Sequence, residues 1–107
     1  MMSYETVSYH DVDPVAGGMY FLRDALDTNT VGLTVLECEP GWTGKEHDHA
    51  DSEHEEIYYV EKGAVTIQVE GEPVELESGE AIRLDPETTR QIKNHDTESK
   101  LILVGAP

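Results

Sequence analysis

Residues 41–63, GWTGKEHDHADSEHEEIYYVEKG, set His47 and His49 one residue apart and place Glu56 at the head of an apolar run. On a β-strand successive side chains point to opposite faces, so residues two apart share a face and both imidazoles can reach one point. Glu56 opens Glu56-Ile-Tyr-Tyr-Val-Glu, which reads as a neighbouring strand able to bring a carboxylate to that point. Two imidazoles and one carboxylate suit iron, manganese, nickel, copper or zinc, and leave positions open for water or substrate. His54 lies two residues before Glu56. It shares that face if the strand begins early, and is then a replacement third imidazole; otherwise it is an exposed loop residue. Glu53 and Glu55 read as part of a solvated charge run, and His10 and His95 as surface residues.

These side chains need strands to aim them, and the hydrophobic period along the chain is two rather than 3.6. Residues 4–9, 19–23, 31–39, 55–62, 64–69, 74–76, 81–84, 90–93 and 101–104 read as short strands. Pro40-Gly41, Lys62-Gly63, Gly71, Gly79, Asp85-Pro86 and Asn94-His95-Asp96 punctuate them as turns. Only residues 23–27 suggest a helical turn. Such spacing predicts an all-β sandwich or barrel. The length, 107 residues, fits a single domain with one core, in which residues 1–18 form an N-terminal arm able to pack on a partner subunit. Cys38 is the only cysteine and shares a face with Thr34 and Leu36, which predicts a buried thiol acting as a small hydrophobe.

The histidine segment resembles the first motif of the cupin superfamily, G-x5-H-x-H-x3-4-E-x6-G. Gly41, His47, His49, Glu56 and Gly63 fit it, except that six residues separate His49 from Glu56. Glu53 meets the shorter spacing but stands too far from Gly63, so Glu56 is preferred and the extra residues are assigned to a longer loop. The second motif, G-x5-P-x-G-x2-H-x3-N, is matched by Gly79 and Asn94; Pro86 lies one position late, Glu87 replaces a glycine, and Arg90 stands where the last histidine ligand would be. The resemblance spans roughly residues 31–104 and is to small single-domain cupins of the cupin_2 kind. It implies a double-stranded β-helix, or jelly-roll barrel, a divalent metal on His47, His49 and Glu56, a small-molecule ligand and a homodimer. The superfamily includes oxygenases, isomerases, decarboxylases and sugar-binding modules, among which fold does not choose.

Arg90 has three readings. Turned inward, it repels a divalent ion and pairs with Glu56, leaving a metal-free binding or regulatory module. Standing further off, it grips a substrate carboxylate or phosphate while the triad holds the metal. Turned outward, it leaves His54 or water to complete the coordination. Tyr58 and Val60 share a face with Glu56, and Ile92 shares one with Arg90, giving a mainly apolar cavity. Tyr58 there either orients or protonates a ligand, or merely packs with its hydroxyl satisfied. The expected function is therefore a metal-binding cupin, an oxygenase or isomerase acting on a small anionic metabolite, with the metal-free module as the alternative.

Composition narrows the partners. Only 7 Lys+Arg stand against 23 Asp+Glu, a formal net charge of -16. The scattered basic residues offer no patch to neutralise phosphates, which argues against nucleic acid. Such an acid excess points to a protein adapted to high salt, as from a halophile, where screening lets dense carboxylates coexist. The lone cysteine and the absence of a signal-like or membrane-spanning apolar stretch lead to the expectation of a cytoplasmic protein without a membrane partner.

Overall fold

The structure, a computed structural model, describes residues 3–107. Eight strands are found among them: β1 (Met19–Phe21), β2 (Gly32–Cys38), β3 (Glu55–Lys62), β4 (Ala64–Val69), β5 (Glu72–Glu77), β6 (Ala81–Leu84), β7 (Arg90–Asn94) and β8 (Ser99–Ala106). A single helical turn, α1 (Arg23–Leu26), follows β1, and a 3-10 turn covers Tyr9–Asp11. Residues 4–9, expected as a strand, pair with nothing in the sheets; alternation alone does not make a strand when no ladder partner lies alongside. No helix among the described residues is long and apolar enough to cross a membrane.

The strands lie in two antiparallel sheets, one of five in the order β1-β2-β8-β3-β6 and one of three in the order β5-β4-β7. The expected closed barrel, a double-stranded β-helix or jelly roll, is not formed: both sheets are open, and no strand ladder joins them. The reason lies in residues 39–54, which would have to carry a strand along the free edge of β7. Pro40, Gly41, Gly44 and a run of charged residues occupy them, and they make only two isolated bridges to β7, Thr43 with Lys93 and His47 with Arg90.

The inner faces of the two sheets meet in a core of Leu36, Tyr58, Val60, Val65, Ile67, Leu84, Ile92 and Leu101, among others. Register explains the layering. Leu36 and Val60 both oppose Leu101, Thr34 and Tyr58 both oppose Leu103, and in the smaller sheet Ile67 lies between Val74 and Ile92. Cys38 belongs to this core, and burial pushes its thiol up to about 12.

Asn94, the end of the second motif, is buried and serves as a clamp. Its Nδ2 donates to the carbonyls of Cys38, Glu39 and Thr97 at 3.3, 2.7 and 2.9 Å, and its Oδ1 accepts from Ser99 Oγ at 2.6 Å. The end of β2, the end of β7 and the start of β8 are thus tied at one side chain.

Two outcomes are expected. Asn94→Ala lowers stability by about 2–3 kcal/mol, because buried carbonyls lose their donor, read as a lower urea midpoint with an unchanged slope. At pH 8 the buried Cys38 stays in its thiol form, so an aromatic disulfide reagent leaves the native protein unlabelled over minutes and reacts with it stoichiometrically in denaturant.

Candidate metal centre

His47 is placed by its backbone. His47 N donates to Arg90 O at 2.9 Å and Arg90 N donates to His47 O at 2.8 Å, so the two residues form a directly opposed pair whose side chains share one face. That is the inner face of β7, where Ile92 and Asn94 are also buried. His49 follows on an irregular extended segment, anchored by its N–H to Pro86 O at 2.7 Å. The six-residue spacing to Glu56 is then absorbed in a tight turn. His49 O accepts from Ser52 N and Glu53 N, Asp48 Oδ1 accepts from Ala50 N, and Glu53 adopts a left-handed φ of 55°. The chain re-enters β3 at Glu55 with Glu56 facing inward.

Glu56 occupies space that a neighbouring residue leaves open. Gly105 opposes it on β8, and a Cβ there would lie 3.3 Å from Glu56 Cγ. The resulting cluster has one ligand atom from each of His47, His49 and Glu56, all within 4.8 Å of one another. Glu56 Oε1 lies 3.1 Å from His49 Nε2 and accepts from Tyr58 Oη at 3.2 Å. His47 Nδ1 is 2.9 Å from Lys45 O, which assigns its proton to Nδ1 and leaves Nε2 free to ligate, the arrangement that outer hydrogen bonds impose on metal-bound imidazoles.

The donor set fits a divalent transition ion: two imidazoles and one carboxylate, half-buried, with one imidazole oriented by a backbone carbonyl. Burial lowers the pKa of His49, and the charges of His47, Arg90 and His54 lower it further against the opposing pull of Glu56, so the ring is neutral and able to ligate at neutral pH. Burial and then Glu56 raise the pKa of Tyr58, which keeps its hydroxyl protonated. His54 stands outside the ligand trio, its ring centroid 6.4 Å from that of His49.

Arg90 is fully buried. Its Nη2 donates to Asp85 O at 2.9 Å, while Nε and Nη1 have no partner. It therefore does not turn outward, and among the described residues it forms no ion pair with Glu56, whose carboxylate instead has the His49 ring beside it at 3.1 Å. The cluster opens on a cavity of about 280 Å³ walled by Met19, Phe21, Trp42, Tyr58, Ile92 and Leu103; of the expected apolar lining Tyr58 and Ile92 are there, and Val60 is not. Arg90 lies behind this wall rather than on it. Trp42 is fixed there by its indole N–H, which donates to Ala16 O at 2.8 Å. A larger hollow of about 450 Å³ near Lys62 and Lys100 shares no lining residue with this cavity.

Sheet order, inward carboxylate and paired imidazoles together define a cupin site, and residues 34–105 match the family described as Cupin domain: the chain belongs to the cupins. No curated protein matches the sequence. Among solved structures, a cupin protein from Bacteroides fragilis is 25% identical with a TM-score of 0.82 over 99% of this chain and 86% of that one. KdgF from Halomonas sp. is 24% identical with a TM-score of 0.79, covering 100% of this chain and 94% of that one. A sugar phosphate isomerase of the cupin superfamily from Silicibacter pomeroyi is 19% identical with a TM-score of 0.69, over 83% of this chain and 58% of that one.

If this trio is the ligand set, zinc added to the protein shifts the Nε2 resonances of His47 and His49 in long-range nitrogen–proton spectra and leaves His10 and His95 unmoved. Before addition, His47 shows the Nδ1-protonated tautomer.

Proposed function

We propose that the protein holds one divalent transition ion on His47, His49 and Glu56 and takes a small anionic metabolite as the exchangeable ligand of that ion. The observation that carries this reading is the convergence of three ligand atoms within 4.8 Å on the wall of a cavity, with no fourth ligand in the group among the described residues. Iron, manganese, nickel, copper and zinc all suit this donor set, and affinity order alone favours copper in any such site.

The charge balance supports an anionic ligand. Glu56 is the one carboxylate of the cluster, and the buried guanidinium of Arg90 offsets it, so a bound divalent ion leaves the site doubly positive. In a partly desolvated cavity that surplus favours an anion over water. Arg90 acts here through its field, whereas Tyr58 reaches the cavity and offers a protonated hydroxyl to Glu56 or to the ligand. An ion with three protein ligands and open positions supplies Lewis-acid or redox chemistry, the means of isomerases and oxygenases respectively. A sugar phosphate isomerase stands among the structures of similar fold, which makes isomerase substrates the first to assay. The metal-free reading depends on an Arg90–Glu56 pair that the described residues do not form.

Metal content by plasma mass spectrometry of untagged protein tests the proposal. About one equivalent is expected in the wild type and little in His47→Ala, whose two remaining ligands hold the ion weakly. Equal content in the two would overturn the assignment. Arg90→Met removes the repelling charge, so metal affinity rises by about tenfold or more while affinity for anionic ligands falls.

A further inference from the structure

Arg23 is half-buried yet enters none of the ion pairs found among the described residues, although acidic side chains outnumber Lys+Arg by 23 to 7. Arg83, by contrast, is engaged with Glu55 and Asp85. The guanidinium of Arg23 lies against Gly32 of β2, where a Cβ would fall 2.7 Å from Nη2 and 3.5 Å from Nε and Cζ. A side chain at position 32 would push the guanidinium off this place. The place it reaches is the wall of a cavity of about 170 Å³, whose other walls include His49, His54 and Glu56. This cavity shares Phe21, Thr34, His49, Glu56 and Leu103 with the 280 Å³ cavity, so the two meet at the metal-ligating pair.

We propose that Arg23 is an anion subsite and that the natural ligand is a small dianion: one anionic head binds the ion on His47, His49 and Glu56, and a terminal carboxylate reaches Arg23. The inference rests on the metal reading above. A planar guanidinium presents paired donors that match a carboxylate bidentately, and among the described residues no carboxylate is paired with this one. The field of a strongly acidic chain repels a dianion from most of the surface, and Arg23 beside the metal centre supplies the local attraction that admits it.

The experiment uses Co²⁺-loaded protein and calorimetric titration at fixed, physiological salt. The probes are 2-oxopentanoate and 2-oxohexanoate, which carry one chelating head, and 2-oxoglutarate and 2-oxoadipate, which add a terminal carboxylate at the same chain lengths. At the better-fitting length the wild type binds the diacid about tenfold or more tightly than its monoacid. In Arg23→Gln that ratio falls to near one with monoacid affinity unchanged, which also shows that the variant is folded. Gly32→Ala retains the arginine but displaces it, and lowers the ratio too. Co²⁺-loaded wild type that binds both series alike, or neither, overturns the subsite, as does an Arg23→Gln variant that weakens both series equally. A wild type that takes up no Co²⁺ overturns the metal reading itself, so the two failures are distinguishable.

Discussion

Two backbone hydrogen bonds between His47 and Arg90, 2.9 and 2.8 Å long, determine where the site can form. They pin an irregular segment to the free edge of β7 without extending the sheet along it. The opposed pair turns an imidazole and a guanidinium onto the same inner face, and the anchoring of His49 to Pro86 and the turn at residues 50–53 then deliver Glu56 opposite. A fully laddered strand along β7 would have fixed His47 equally well. The irregular course leaves Thr43, Lys45, His47 and His49 on the cavity wall.

The inward cluster also sets the electrostatic problem that the fold has to solve. Burying a guanidinium with two unpaired donors is costly, and the protein accepts it beside the place where three metal-ligating atoms meet. Arg90 helps keep His49 neutral and so able to ligate, and it lowers the pKa of Tyr58 against the larger effects of burial and Glu56. The same positive field is what the proposed anionic ligand would meet.

Much of the fold was legible because alternation and turn chemistry are local. β2, β3, β4, β6 and β8 follow from runs of period two, and the single turn of α1 was readable between Arg23 and Asp27. The convergence of His47, His49 and Glu56 was readable too, although the two histidines stand on an irregular segment rather than on the strand that their spacing suggested. What escaped depends on partners distant in sequence. Residues 4–9 alternate but meet no ladder, and open sheets replace a closed barrel because residues 39–54 supply bridges instead of a strand. The clamp at Asn94, the room that Gly105 leaves for Glu56, and the lodging of Arg23 on Gly32 arise from contacts across strands; only Asn94 carried a signal, as the last residue of the second motif. Arg90 points inward, as one of the three readings had it, but without the Glu56 pair that this reading gave it, and its backbone pairing with His47 is what sets that direction.

The central claim is that His47, His49 and Glu56 hold a divalent ion. Anomalous diffraction at the cobalt edge, from crystals of Co²⁺-loaded protein, tests it most directly. The account requires a single anomalous peak bonded to one nitrogen of each imidazole and to the Glu56 carboxylate, with non-protein density completing the coordination. A peak elsewhere, or none between these three side chains, would contradict it.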